Sequence, residues 1–118
     1  TKIMLDLTPT EEQEQSLLVE YLELKGLRFS ALAQDTFTKS WATKNRNKRI
    51  GVKRGVPDML VIINNKLVFI EMKRSKNSRA SSEQKEWIGA LNTCEGVYAK
   101  VCYGFDEAKK IVDSFLNV

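Results

Sequence analysis

The chain has 118 residues, enough for one domain with its own hydrophobic core and too few for two, so we expect a single domain over residues 1–118. It contains no histidine, which excludes Ser-His-Asp and Cys-His catalysis and histidine-bound zinc and leaves carboxylate and lysine chemistry. Nineteen Lys and Arg against fifteen Asp and Glu give a net charge of +4, and how these charges are distributed is more informative than their sum.

A first helix is predicted to start at Thr8, with Thr8 as N-cap, Pro9 at the first helical position and Glu11 closing a capping box. The helix is predicted to stop near Gly26. Its apolar positions are Leu17, Leu18, Tyr21 and Leu22. The loose alternation from Leu27 to Phe37 predicts a first strand.

The next segment is strongly basic. From Lys39 to Arg54 there are seven Lys or Arg and no acid: Lys39, Lys44, Arg46, Lys48, Arg49, Lys53 and Arg54. Because the stretch from Thr38 to Val56 has few apolar residues, it is predicted to be a long loop that holds a nucleic-acid backbone, and the alternative is a solvated or disordered loop. Trp41 within it has two interpretations, a stacking platform for an unpaired base or a core residue.

A hairpin follows the basic segment. The pair Asn64-Asn65 splits two apolar runs, and Asn tolerates the positive φ of a two-residue hairpin turn. This turn places Ile63 opposite Lys66 and, at the far end of the ladder, Asp58 opposite Glu71. Both strands are apolar on both faces, which predicts a sheet that is covered on both sides.

Three further elements complete the chain. Ser81 or Ser82 is predicted to cap a helix that buries Trp87, Ile88 and Leu91 and ends by Gly96, and the span from Val97 to Tyr103 reads as a fourth strand. Asp106 is predicted to cap a last helix with an apolar stripe. The stripe is Ala108, Ile111, Val112, Phe115 and Leu116. The predicted order is helix, three strands, helix, strand, helix.

The opposed acids of the hairpin suggest a chemistry. Directly opposed carboxylates repel each other, so Asp58 and Glu71 require a cation between or beside them. Lys73 lies two residues after Glu71 and therefore on the same face of the strand. Phosphodiester hydrolysis needs a hydroxide, a counter-charge and help for the leaving oxygen, which Mg²⁺ held by carboxylates can supply, with a lysine to assist the water. The alternative is that these residues form a solvated strand end.

The motifs Arg54-Gly55-Val56-Pro57-Asp58 and Phe69-Ile70-Glu71-Met72-Lys73 resemble the PD-(D/E)XK nuclease superfamily, and within it the virus-type replication-repair nuclease (VRR-NUC) branch. The resemblance covers most of the chain. It implies an α/β fold with a restriction-endonuclease-like αβββαβ core, a mixed four-stranded sheet flanked by helices. This order is the one predicted above.

The resemblance also implies a ligand set. Asp58 and Glu71 would bind Mg²⁺ or Mn²⁺, the carbonyl of Met72 would complete the metal site, and Lys73 would be the catalytic lysine. The family pattern adds an acid on the first helix, and alignment favours Glu11, with Gln15 one turn later, although Glu14 is the alternative. It also adds a helix glutamine with a catalytic role, matched by Gln84, although Ser81 and Gln84 together also spell a capping box.

The sequence as a whole predicts a metal-dependent DNA endonuclease. Lys44, Arg46, Lys48, Arg49, Lys53 and Arg54 are its expected DNA contacts. The resemblance implies branched or junction DNA as substrate, a homodimer, and a role in replication, repair or recombination, often in phage. The alternatives are a DNA-binding module that does not cleave and the nuclease subunit of a larger restriction or repair complex.

A location inside the cell is also predicted. The two cysteines fit neither a zinc knuckle nor a redox pair, no apolar run reaches the ~20 residues of a membrane span, and the N-terminus lacks the order of a signal peptide. We therefore expect a cytoplasmic protein of a bacterium or a phage-infected cell, without a membrane partner.

Overall fold

A computed structural model of the protein describes residues 7–32, 40–74 and 77–117. Its elements are α1 (Glu11–Leu24), β1 (Arg28–Ala31), α2 (Trp41–Arg49), β2 (Met59–Ile63), β3 (Lys66–Lys73), α3 (Ser82–Asn92), β4 (Val97–Tyr103) and α4 (Phe105–Leu116). The predicted order of helices and strands is confirmed, with one addition, the helix α2 between the first two strands.

The four strands form one sheet in the order β1-β2-β3-β4. The pairs β1–β2 and β2–β3 are antiparallel, whereas β4 runs parallel to β3. A parallel pair needs a crossover connection, and α3 provides it. The predicted mixed four-stranded α/β sheet is therefore confirmed.

The hairpin between β2 and β3 has the predicted turn and register. Asn64 and Asn65 have φ angles of 48° and 66°, the left-handed values of a two-residue hairpin turn. Ile63 pairs with Lys66, and the ladder runs to the pair of Met59 with Ile70. One step further along the two strands are the positions of Asp58 and Glu71.

Only one face of the sheet forms the main core. The side chains of this face pack against α1 and α4. The core that the sheet and these two helices form consists of residues that are fully buried or nearly so: Leu18, Leu22, Met59, Val61, Ile63, Val68, Ile70, Met72, Cys102, Ala108 and Val112. On the other face, α3 lies over β4, while Ile62 and Leu67 remain 41% and 38% exposed. The prediction that both faces of the sheet are covered is therefore wrong for the part of this second face that β2 and β3 form.

Two helix starts differ from the sequence prediction. The N-cap of α1 is Thr10 rather than Thr8, and the capping box is closed by Gln13, which leaves the Glu11 side chain outside it. The N-cap of α4 is Gly104 rather than Asp106. The first strand, predicted to reach Phe37, ends at Ala31 within the described residues, and positions 33–39 lie outside them.

The basic segment forms the helix α2, not a loop. The Ser40 side chain accepts a hydrogen bond from the Thr43 amide at the N-terminus of the helix. At the C-terminus, Gly51 has a φ of +84°, and the Val52 amide donates to the Asn47 carbonyl, as in a Schellman motif. None of the helix's residues is buried, so end capping rather than core packing defines it.

The loop between α2 and β2 touches α3 at Gly55. This residue is buried and has a φ of +95°, and a Cβ built on it would lie 2.6 Å from the carbonyl carbon of Glu83. Contacts this short do not occur, so only glycine allows the loop to approach the first turn of α3 so closely. The contact sets the path of the chain into Asp58.

Gly55→Ala should destabilise the fold far more than Gly51→Ala. Both glycines have positive φ, and alanine there costs about 1–2 kcal/mol. At Gly51 no atom lies within 4 Å of the added Cβ, whereas at Gly55 the clash adds about 1–3 kcal/mol. Urea unfolding of the two variants measures the difference, and equal losses of stability would show that the close contact with α3 does not matter.

Candidate active site

Asp58 is held at the entry of β2 by two backbone groups. Its carbonyl accepts a hydrogen bond from the Leu32 amide at 2.8 Å, and its side-chain Oδ2 accepts one from the Met72 amide, also at 2.8 Å. Because Met72 follows Glu71 in β3, this second bond fixes the Asp58 carboxylate beside the Glu71 carboxylate. The predicted proximity of the two acids is confirmed.

Glu71 is the buried charge of the site. It is 2% exposed, and its Oε1 atom is buried without a hydrogen-bond partner among the described residues. Burial, and after it the charge of Asp58, raises the pKa of Glu71 to about 8, although Lys73 acts in the opposite direction. An ionised carboxylate in this position needs a further positive charge.

Lys73 lies on the same face of β3 as Glu71. Its Nζ is 3.8 Å from Glu71 Oε2, and its side chain is only 12% exposed. The ammonium group is therefore positioned beside the carboxylates, as strand alternation predicts. This distance exceeds that of a hydrogen bond, so the Lys73 ammonium can still donate a hydrogen bond to another acceptor.

A third carboxylate comes from the first turn of α1. One oxygen each from Glu11, Asp58 and Glu71 lies within 4.8 Å of the others. Gln15, one turn after Glu11, donates to the sulfur of Met59 at 3.5 Å and so ties α1 to the start of β2. The structure thus brings the helix acid favoured by the alignment to the two strand acids.

Glu14, the alternative helix acid, has a different contact. Its Oε2 accepts a hydrogen bond from the Phe105 amide at 2.6 Å, at the N-terminus of α4. The N-cap residue of α4, Gly104, has no side chain that could cap the helix, so a carboxylate from α1 performs this role. The two glutamates lie one turn apart and differ in contacts: Glu11 lies with the acids and Glu14 caps a helix.

Two other predicted site residues have structural contacts. Gln84 accepts a hydrogen bond from the Ser81 amide while Ser81 accepts one from the Gln84 amide, which forms the capping box of α3. The Met72 side chain is buried in the core, and its amide orients Asp58. Catalytic participation of Gln84 and metal ligation by the Met72 carbonyl stay predictions.

The predicted DNA contacts are exposed residues that precede Asp58 in the chain, and together they are called the basic surface. Four predicted DNA contacts lie on α2, namely Lys44, Arg46, Lys48 and Arg49, and Lys53 and Arg54 follow in the loop that leads to Asp58. Trp41, at the start of α2, is 78% exposed and is therefore not a core residue. Lys39 lies outside the described residues.

The acid cluster fits a divalent cation. Its three donors are carboxylate oxygens, the ligands that Mg²⁺ and Mn²⁺ prefer. Glu71 Oε1, which has no hydrogen-bond partner in the described part of the chain, is an acceptor that a bound cation would satisfy. Glu11, Asp58 and Glu71 are therefore the residues that could hold the metal.

Comparison with known proteins shows the family of the chain. The model of the VRR-NUC domain matches residues 9–106, a span that contains all three acids and Lys73. The chain belongs to the VRR-NUC family. The resemblance found in the sequence motifs is thereby confirmed, and this is a family of nucleases.

Solved structures of VRR-NUC proteins have the same fold. One, described as a VRR-NUC domain protein, is 27% identical, with a TM-score of 0.67 over 93% of this chain and 90% of its own. Another, described as a VRR-NUC domain, is 19% identical, with a TM-score of 0.65 over 91% of this chain and 99% of its own, and supports the fold alone. A search of curated proteins gives no match.

Within residues 7–32, 40–74 and 77–117, no helix is long and apolar enough to cross a membrane.

The raised pKa of Glu71 predicts a pH-dependent stability in the metal-free protein. Between the ordinary value of 4.5 and about 8, the folded state binds a proton that the unfolded state has lost, so stability should fall as pH rises through this range. Urea unfolding with a chelator from pH 5 to pH 8 should show this decline. Glu71→Gln should flatten it, whereas the exposed Glu20→Gln should not. A decline that persists in Glu71→Gln would contradict the assignment.

Exchange of Glu11 and Glu14 for alanine should separate their roles. Glu14→Ala removes the cap of α4 and should lower the free energy of unfolding by about 1–2 kcal/mol, while stabilisation by Mn²⁺ is kept. Glu11→Ala should leave the metal-free protein nearly as stable and reduce its stabilisation by Mn²⁺. Thermal unfolding with and without Mn²⁺ tests both variants, and the reverse pattern would make Glu14 the metal ligand.

Proposed function

We propose that this VRR-NUC protein is an endonuclease that hydrolyses phosphodiester bonds of branched or junction DNA with Mg²⁺ or Mn²⁺ as cofactor. One observation carries the proposal: the carboxylate of Glu71, whose Oε1 is buried without a partner among the described residues, lies beside two further carboxylates and a lysine. A structural ion pair would have paired this oxygen, whereas a metal site needs it as a ligand.

The residues of the site have separate roles in the proposed hydrolysis. A divalent cation held by Glu11, Asp58 and Glu71 would lower the pKa of a water molecule and offset the charge that develops on the phosphate. The ammonium group of Lys73 lies beside the Glu71 carboxylate, where it can donate a hydrogen bond to the attacking water or to a phosphate oxygen. Lys73 therefore adds a second positive charge.

Rigid positioning supports this chemistry. The Met72 amide fixes Asp58, and Gln15 attaches the start of α1, which carries Glu11, to Met59. Two of the three acids are therefore held by contacts other than those among the carboxylates. Carboxylates arranged before the metal binds reduce the cost of ordering the site. Burial of Glu71 on the sheet strengthens its attraction to a cation.

DNA would reach the acids along the basic surface. The exposed cations of α2 continue through Lys53 and Arg54 to Asp58 without an intervening acid. Contacts of this kind bind phosphates and carry no sequence information. The branched substrate and the homodimer rest on the resemblance of the motifs to junction-cleaving members of the family.

Cleavage assays on one labelled four-way junction and on a linear duplex of the same sequence test the proposal. Mg²⁺ or Mn²⁺ should support cleavage of the junction, and EDTA should abolish it. Glu71→Gln, Asp58→Asn and Lys73→Ala should each lower the rate by at least about 100-fold, since each removes a group that acts on the transition state. Lys66→Ala, at the other end of β3, is the control.

Each contrary result has a clear meaning. Near-normal cleavage by Glu71→Gln would refute the site. Binding of the junction without cleavage by the parent protein would favour the non-cleaving module, and activity that appears only after a partner protein is added would favour a subunit of a larger complex.

The basic surface of α2 predicts the salt dependence of binding. Lys48→Ala with Arg49→Ala should weaken binding about equally for all sequences and reduce the slope of log affinity against log salt by ~1–2 units, because fewer counterions are released. The control is Lys100→Ala with Lys110→Ala, an equal loss of charge at exposed positions of β4 and α4. Titrations from low to moderate salt distinguish them, and equal slopes for both double variants would exclude α2 from the DNA path.

A further inference from the structure

A cleft of about 480 Å³ lies between the loop that leads to Asp58 and the outer face of α3. It is lined by Lys53, Arg54, Glu83, Glu86, Trp87 and Ala90. The residues from α3 are spaced by three, four and seven positions, so they form one stripe along the helix. None of the three clustered carboxylates lines the cleft. Lys53 and Arg54 are also predicted DNA contacts, whereas the residues of the α3 wall have no role in the proposed hydrolysis.

The walls of the cleft differ in charge. Lys53 and Arg54 make the loop wall cationic, Glu83 and Glu86 make the helix wall anionic, and the half-buried indole of Trp87 lies on that wall. Hydrogen bonds from its own backbone amide and from Ser82, together with the charge of Arg54, lower the pKa of Glu83. The Ser82 hydroxyl donates to Glu83 Oε2 at 3.3 Å, and an ionised carboxylate, which has about four lone-pair sites, keeps the capacity to accept from a further donor.

The cleft is held rigidly at one end. Gly55 follows Arg54 directly and touches the backbone of Glu83 and Gln84 so closely that a Cβ would not fit. The loop wall is thereby fixed to the helix wall. Arg54 precedes Asp58 by four residues, a distance of at most about 14 Å along an extended chain.

This chemistry matches a single unpaired nucleotide. A phosphate is attracted to the cationic wall and repelled by the acidic one, so the base must face α3. A base offers a flat ring to Trp87 and, in cytosine, adenine or guanine, an exocyclic amine to a carboxylate, whereas thymine presents an oxygen there. A paired base is unable to enter, because its ring faces are covered within the stack.

We infer that this cleft binds one unpaired nucleotide of the DNA substrate near the scissile bond, with a preference for bases that carry an exocyclic amine. The inference rests on the proposed function and deepens it, because bases can unpair at a branch point more easily than within a fully paired linear duplex, which gives a physical reason for selection of branched DNA. Trp87 and the two glutamates are specificity residues in this view.

Binding in EDTA tests the inference without cleavage. The chain has two tryptophans, so Trp41→Phe leaves Trp87 as the only indole, and all comparisons are made within that protein. The probes are one duplex, fully paired or with a single unpaired cytosine, thymine or abasic nucleotide. The unpaired cytosine should quench Trp87 emission and bind about 5- to 150-fold tighter than the abasic probe, which lacks the stacking base.

Variants assign the effect to the cleft. Trp87→Ala should remove the preference for cytosine over the abasic nucleotide, and Trp87→Phe, which keeps a ring and protects the fold, should retain most of it. Glu83→Ala with Glu86→Ala should reduce the preference for cytosine over thymine. The control Glu20→Ala with Glu23→Ala removes an equally spaced exposed pair from α1 and should leave that preference unchanged.

The outcomes are distinct. Equal affinity for the paired, abasic and cytosine probes, or a preference that survives in Trp87→Ala, would overturn the inference and would leave the cleft to a protein partner. Failure of the proposed function would give a different result. A protein without metal-dependent cleavage that still binds the unpaired base more tightly would support the inference about the cleft and refute the proposed nuclease activity. Metal-dependent cleavage without a preference for the unpaired base would refute only the inference about the cleft.

Discussion

The placement of two carboxylates at adjacent hairpin positions determines most of what this structure can do. The Met72 amide binds Asp58 and thereby holds it next to the buried Glu71, although like charges at such a distance repel. The fold tolerates the repulsion because a short Asn-Asn turn fixes the register of the two strands, and an apolar core on the opposite face holds them together. Lys73 offsets part of the negative charge of the two carboxylates, and a bound metal ion would offset the rest.

Contacts outside the cluster give the site its precision. Glu14 caps α4, and Gln15 binds Met59, so the first turn of α1 is attached to both the last helix and the sheet. Glu11, which has no such contact to the core, is thereby placed at the acids. On the other side, Gly55 joins the loop before Asp58 to α3. The candidate active site is thus located where three segments distant in sequence are held to one sheet.

Much of this arrangement is predictable from the sequence, because it depends on local rules. The Asn-Asn turn determines the hairpin, strand alternation places Lys73 beside Glu71, and the two motifs indicate the family. The choice between Glu11 and Glu14 is not predictable, because the partner of Glu14 lies 91 residues away on α4. The sequence pattern does not predict the helix α2, because the helix lacks an apolar stripe, although Ser40 and Gly51 are ordinary signals for its two ends. The cleft at Trp87 depends on the approach of Gly55 to α3, which no local pattern reveals.

The central claim is that Glu11, Asp58 and Glu71 form a metal site. Crystals of the protein soaked in Mn²⁺, with diffraction data collected at a wavelength where manganese scatters anomalously, test it most directly. The account predicts an anomalous peak among the carboxylates of these three residues, and its loss in Glu71→Gln. A site without a peak at millimolar Mn²⁺, or manganese bound elsewhere on the chain while DNA is still cleaved, would contradict it.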